Sequence, residues 1–163
     1  MKLRAYLDIE TTGLARNFSD ITIIGIALER NGRLEIRQLL EKTLTESKLL
    51  SALSGIDELY SYNGSRFDLP FIKSKFGLDL KTQFRHTDLM YDCWKHNLKG
   101  GLKAVERILR INRNLEDVDG FMAVQLWWEY KNYNNTDALR ILLEYNCEDI
   151  VNLKVLREKL CVD

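Results

Sequence analysis

The sequence predicts a single α/β domain: one mixed sheet of five strands, flanked by helices. Three observations predict it. Apolar, β-branched runs crowd the first half of the chain, while apolar residues at helical spacing dominate the second. Asn31-Gly32, set between two such runs, is a strong two-residue hairpin signal. No repeat, low-complexity tract or linker divides the chain, so one domain spanning 1–163 is the economical reading.

Leu3 to Ile9 is an apolar run broken at Arg4 and Asp8, and reads as a central strand. Arg16 to Asp20 is a polar connection. Ile21 to Leu28 is almost continuously apolar and β-branched, as a buried strand should be. Arg33 to Leu40 returns as an alternating strand with Leu34, Ile36 and either Leu39 or Leu40 inward, so the chain opens as an antiparallel meander. Thr45 caps a short helix through Leu53, and Gly55 ends it. Ile56 to Tyr62 is a fourth strand. Asp68 to Phe76 is a helix with Pro70 in its first turn, where a missing N–H costs nothing, and with Gly77 closing it. Phe84 to Leu89 is a short fifth strand. After Gly100-Gly101, residues Leu102, Val105, Ile108 and Leu109 follow helical spacing, and Phe121 to Tyr130 is a further helix. Asn132 to Thr136 offers caps for a long closing helix, whose apolar face runs from Leu139 through Leu142, Ile150, Leu153 and Leu156 to Leu160.

The 163 residues suffice for a real core. Lys plus Arg total 24, as do Asp plus Glu, which excludes a protein that coats nucleic acid through a global basic field but leaves room for a local groove. No apolar run reaches the length of a membrane span, and Met1-Lys2-Leu3 opens straight into a strand pattern where a signal peptide would need an apolar core. Cys93, Cys147 and Cys161 are odd in number and lack paired spacing, so a reduced, cytoplasmic setting is expected. Cys93-x-x-His96 lacks a second half for a zinc site.

Three stretches carry candidate chemistry. Asp8 and Glu10 lie two apart on the opening strand and project from one face, with Leu7 and Ile9 on the other. Two carboxylates so close raise each other's pKa unless a cation lies between them, and all-oxygen ligands suit Mg²⁺ or Mn²⁺. Alone, the pair reads equally as two acids at a solvated strand end. The second stretch, Tyr62 to Pro70, joins a strand to a helix, where open α/β sheets place their sites. Asp68 there also reads as a helix cap, and Asn63-Gly64 as a simple turn. In the third, Tyr145 and Asp149 stand four apart on the closing helix, near its apolar face; a surface pair is the plain alternative. Glu148 is expected to face solvent or bond a neighbouring Lys or Arg.

Taken together, D-x-E on a strand, N-x-x-x-F-D before a helix and Y-x-x-x-D on a late helix resemble the three exonuclease motifs of the DEDD superfamily. The resemblance is to its tyrosine-bearing subgroup, seen in proofreading domains of family B DNA polymerases. It is closer still to the YprB-type ribonuclease H-like domain, through Asn63 to Asp68, Leu102 to Glu106, Asp119-Gly120-Phe121 and Tyr145 to Leu153. It covers essentially the whole chain.

The resemblance implies a ribonuclease H-like fold and hydrolysis of phosphodiester bonds from a 3′ end with two Mg²⁺ or Mn²⁺ ions. Position by position, Asp8 would bridge both ions, Glu10 and Asp149 would hold the one that activates water, Asp68 would support the second through water, and Tyr145 would orient the attacking water. Thr11 and Leu14 would touch the terminal nucleotide, Leu14 as an apolar wedge; core packing is the equal alternative for Leu14. Asn63 would bond substrate or brace its loop. Phe67 would stack on a base, with core filling the simpler role. Lys99, Lys103 and Arg66 are candidate phosphate contacts against a solvated charged face, the latter favoured for Arg66. Of Trp127 and Trp128, adjacent on a helix, one should pack inside and one near the surface. His86 reads as structural. The expected partner is a single-stranded 3′ end, of DNA or RNA. A second subunit or protein partner would fit the modest electrostatic grip of an uncharged domain. The rivals are a non-cleaving binding module of the same fold, a structure-specific nuclease, and an interaction domain whose acids only cap and pair.

Overall fold

A computed structural model describes residues 2–163; the reading of Met1 in the opening strand pattern lies outside them. The chain runs β1 (Arg4–Thr11), β2 (Ile21–Arg30), β3 (Arg33–Leu40), α1 (Glu46–Ala52), β4 (Glu58–Ser61), α2 (Asp68–Phe76), α3 (Leu80–Gln83), β5 (Arg85–Asp88), α4 (Leu89–Lys95), α5 (Leu102–Leu109), α6 (Gly120–Tyr133) and α7 (Thr136–Lys159). A 3-10 turn, Glu41–Thr43, follows β3.

The five strands form one sheet in the order β3-β2-β1-β4-β5. The expected meander is present: β1 pairs β2, and β2 pairs β3, both antiparallel. β4 and β5 add on the other side of β1 in parallel, each after a helical crossover. The sheet is therefore mixed, with β1 at its centre.

Side-chain parity on β1 sorts the molecule into two layers. Ala5, Leu7 and Ile9 point into a core with Leu49 and Leu53 around α1 and with Phe71 and Ile72 of α2. Tyr6 points to the other face, where α7 lies across the sheet with Ile150, Leu153 and Leu156. Asp8 and Glu10 share the parity of Tyr6, so they end on the α7 side. A third cluster, Ile23, Ala123, Trp127, Leu142 and Tyr145, ties α6 to α7. Trp127 is inside it and Trp128 is exposed, as the adjacency required.

Two expectations change, and two alternative readings, a cap for Asp68 and core packing for Leu14, fall away. Ile36 is 38% exposed where an inward position was expected, because β3 is the sheet's edge and the α7 layer reaches only part of it. Asp68 does not cap α2: Phe67 occupies the cap position and the Asp68 carboxylate turns toward β1. Leu14 is not core but 85% exposed. The two short helices α3 and α4 were not expected. Each is started by an aspartate, Asp79 or Asp88, whose carboxylate accepts the N–H of the second helical residue.

Candidate metal centre

β1 ends where the sheet opens. Its parallel pairing with β4 stops at Tyr6↔Tyr60, so the N–H of Ile9 has no ladder partner on that side. Asp68, at the start of α2, takes it: Ile9 N–H donates to Asp68 Oδ1 at 2.9 Å. This bond brings the second motif to the tip of the first strand. Asp88 braces the same loop by accepting from the N–H of Asn63 at 2.7 Å and of Ser65 at 2.9 Å. Asn63 holds a left-handed φ of 60° there.

α7 supplies the third side. One ligand-type oxygen from each of Asp8, Glu10 and Asp149 lies within 4.8 Å of the others. Asn146, one turn before Asp149, is fully buried and donates to both the carbonyl oxygen (3.3 Å) and Oδ2 (3.2 Å) of Asp8. Gln38 Nε2 in turn donates to Asn146 Oδ1 at 3.0 Å and to the Leu143 carbonyl at 2.8 Å. Gly25 makes this approach possible. It stands opposite Asp8 on one side and Gln38 on the other, and a Cβ there would lie 2.8 Å from Asn146 Cγ.

The electrostatics follow from burial. Desolvation, then repulsion from Asp149 and the neighbouring acids, pushes Asp8 well above the ordinary carboxylate range. Glu10 is raised for the same reasons. Burial raises Asp68 to about 7, against the lowering pull of its backbone bonds. Burial also raises Asp149 to about 6, against the nearby Arg113 guanidinium. Glu10 Oε1 is buried with no hydrogen-bond partner. Three convergent carboxylates, one with an orphaned oxygen, fit a hard divalent cation by donor type and by charge. Tyr145 is 8% exposed, and burial followed by the field of Asp149 drives its hydroxyl pKa upward, so it stays protonated at neutral pH.

Asp8, Glu10, Tyr145 and Asp149 form the floor of a cleft of about 580 Å³, and Asp68 is not among its lining residues. Its walls are Thr11 to Leu14 of the β1–β2 connection, Phe67, and Gly120, Phe121 and Val124 of α6. Phe121 is 72% exposed, so Leu14 and Phe121 are bare apolar edges of the cleft. Thr11 Oγ1 donates to the Gly13 carbonyl at 2.8 Å and shapes that turn. Phe67 both lines the cleft and packs on Phe71, with ring centroids 5.4 Å apart. Lys103 is not among the residues that line the cleft, but its Nζ stands 5.2 Å from the Tyr145 ring centroid and donates to the Glu116 carbonyl at 3.2 Å.

Other expected residues stand apart. Lys99 is exposed and Asn63 braces its loop, and neither is among the residues that line the cleft. Arg66 lies over the rings of Tyr91 and Trp94 at 5.8 and 5.5 Å. His86 Nε2 shares a 2.8 Å hydrogen bond with Ser61 Oγ, a structural contact. Glu148 accepts from the N–H groups of Asn114 (2.6 Å) and Leu115 (3.1 Å), and Arg113 stands 3.9 Å away. Sequence reasoning gave Asn146 and Phe121 no role beyond their place in the resembling stretches, and it missed Arg113.

A five-stranded mixed sheet carrying a half-buried and a buried acid at the tip of its central strand, faced by a helix that adds another, defines an α/β domain of the ribonuclease H kind. The family model described as the RNase_H superfamily matches residues 5–161. The chain belongs to that superfamily. It is 32% identical over 162 residues to the uncharacterized protein YprB of Bacillus subtilis (strain 168), an alignment covering 91% of this chain and 39% of that protein. The chain thus spans well under half of that relative's length. Among solved structures, it is similar in fold to the family B DNA polymerase of the hyperthermophilic archaeon Pyrobaculum calidifontis. The TM-score is 0.72 at 15% identity, over 99% of this chain and 25% of the polymerase. It is also similar to Brucella melitensis NrnC with bound Mg²⁺, with a TM-score of 0.62 at 18% identity, over 96% of this chain and 71% of that one. NrnC bound to pGG superposes with a TM-score of 0.63 at 18% identity, with the same shares of each chain. No helix of the described residues is long and apolar enough to cross a membrane.

Proposed function

We propose that this domain is a metal-dependent 3′–5′ exonuclease of the DEDD type, acting on single-stranded nucleic-acid ends. The observation that carries the reading is the convergence of Asp8, Glu10 and Asp149 on the floor of a cleft, with the Asp68 carboxylate bonded to the same strand tip. An interaction domain has no use for mutually repelling acids in a hollow, one of them with an unpaired buried oxygen. Similarity in fold to NrnC, solved with Mg²⁺ and with pGG, supports the same reading.

In it, Asp8, Glu10 and Asp149 hold divalent cations, Mg²⁺ or Mn²⁺, and Asp68 supports a second cation while anchoring β1. When bound, such ions acidify water and offset the charge that grows on the phosphoryl group and the leaving 3′ oxygen. Tyr145, kept neutral by burial, orients the attacking water through its hydroxyl and is no general base at neutral pH. Leu14 and Phe67 receive the terminal base, and Thr11 shapes the turn that carries Leu14. Lys103 meets the phosphate backbone at the rim, and Lys99 and Asn63 act on the strand further out. The clean test incubates 5′- and 3′-labelled DNA and RNA strands with the protein and Mg²⁺ or Mn²⁺. Stepwise shortening of the 5′-labelled strand is expected. Internal cuts would replace the exonuclease by a structure-specific nuclease, and strand binding without product would make the domain a non-cleaving module.

A further inference from the structure

Arg113 sits where acids prevail. It is 6% exposed. Its Nε donates to Glu106 Oε2 at 2.7 Å, and its Nη2 donates to Glu106 Oε1 at 2.8 Å and also to Asp149 Oδ1. Its guanidinium carbon lies 5.7 Å from the Tyr145 ring centroid. Nη1 makes no hydrogen bond. Glu106 is itself fixed from α7: Asn152 Nδ2 donates to Glu106 Oε1 at 3.0 Å and to the Asn112 carbonyl at 3.1 Å. One planar cation therefore spans two buried carboxylates, and the second of these is a wall of the candidate metal centre.

The physics of such a bridge is asymmetric. Removing one member of a buried charge cluster leaves the others uncompensated. Without Arg113, Asp149 would face Asp8, Glu10 and Glu106 with only the Lys103 ammonium to offset their repulsion, and would turn away or take a proton. A guanidinium fork holds both carboxylates at once in a fixed plane, whereas a lysine ammonium is a compact charge with rotatable donors that cannot reproduce that bidentate geometry. We propose that Arg113 is a positioning residue of the carboxylate centre, which through its fork to Glu106 and Asp149 keeps Asp149 turned toward Asp8 and Glu10, ready to receive a divalent cation. The inference rests on reading the cleft as a metal centre. The competing explanation is a staple: Arg113 joins α5 to α7 and contributes stability only.

A Mn²⁺ titration, followed by the electron paramagnetic resonance signal of free Mn²⁺, separates the two. It is run on the whole chain as wild type, D149N, R113K and E106Q, with thermal melts alongside. The expected result is wild-type binding lost in D149N and weakened about 10- to 100-fold in R113K, as for partners that orient metal ligands. E106Q, which keeps the Arg113–Asp149 pair but loosens the fork, should weaken binding less, in the same direction. On a labelled single-stranded oligonucleotide, R113K should lose kcat with KM little changed. A folded R113K with wild-type Mn²⁺ affinity overturns the proposal and leaves a staple. Tighter binding also overturns it, since Arg113 would then be a competitor of the cation. If R113K fails to fold, unchanged affinity in E106Q overturns the proposal instead. Wild type that takes up no Mn²⁺ overturns the metal-centre reading itself, a result no Arg113 variant can mimic.

Discussion

Gly25→Ala puts one methyl group where the sheet has left a gap for Asn146. Ile24 and Ile26 on either side are fully buried, so β2 cannot swing away. Asn146 itself is fully buried, and the new Cβ would lie 2.8 Å from its Cγ, inside any real contact distance. Overfilling a packed site costs about 1–3 kcal/mol. Displacing Asn146 also costs Asp8 a carboxylate hydrogen bond, worth about 1.5–3 kcal/mol when made to a charged group. The two overlap, because relief of one is the loss of the other. Against them stands about 0.4–1 kcal/mol from the reduced freedom of the unfolded chain. The net loss is about 2 kcal/mol, which for a domain of this size lowers Tm by about 4–8 °C. Calorimetry or a circular dichroism melt of the metal-free protein reads it directly. Mn²⁺ affinity should fall together with Tm, because the side chain that yields is the one holding Asp8. A Tm within about 1 °C of wild type, with Mn²⁺ binding untouched, would refute the claim that Gly25 exists to admit Asn146.

Asp8→Asn and Asp149→Asn should each abolish cleavage in Mg²⁺ or Mn²⁺ while the fold persists, which a nuclease assay paired with melting curves checks; an unchanged rate removes that residue from the chemistry. In metal-free protein, Asp68 (about 7) and Asp149 (about 6) sit above the unfolded Asp value near 3.9. The folded state then binds more protons than the unfolded one. The stabilisation from these two carboxyls is present in full below the unfolded value and is lost as pH rises through about 6–7, with a slope of at most about 1.4 kcal/mol per pH unit for each group. Melts of the apo protein from pH 5 to 8 should show this decline, and added Mn²⁺ should reverse it by favouring the ionised acids. Phe121→Ala and Leu14→Ala remove exposed side chains, so Tm should hold within about 1 °C while KM for a single-stranded oligonucleotide rises several-fold; an unchanged KM in both would strip the cleft edges of any role in gripping a base.

What was legible in the chain was whatever a short period expresses. Parity on β1 put Asp8 and Glu10 together, and a four-residue step put Tyr145 and Asp149 on one face of α7. The Asn31-Gly32 turn gave the hairpin its register. What escaped depends on distant partners. Asp68 passes locally for a cap, and only the free N–H of Ile9, 59 residues earlier, explains where its carboxylate goes. Arg113 lies in a loop between helices with nothing local to mark it, and its partner Asp149 is 36 residues away. A signal did exist: Glu106 adjoins Val105 on the buried side of α5, and a charge there demands a counter-charge. Gly25 left one too, since a lone glycine within a continuous apolar strand often marks the close approach of another group. Ile36 was misplaced because an alternating pattern cannot tell an edge strand from a covered one. The helices α3 and α4 have four and seven residues, too short for periodicity to speak.

α7 carries Tyr145, Asn146, Asp149 and Asn152 within little more than two turns, and the same rod seals the sheet with Leu142, Ile150, Leu153 and Leu156. Reaction geometry and structural integrity thus share a single rotational setting. One residue inserted between Ile150 and Leu153 would spin everything beyond it by about 100° relative to Asp149, and either the greasy stripe or the acid would have to miss its target. Lengthening the Asn134-Asn135 joint just upstream would leave that setting alone. The molecule therefore tolerates growth at its corners and forbids it along this axle, which marks the segment before α7 as the place to graft a tag, a tether or a second module without disturbing the centre.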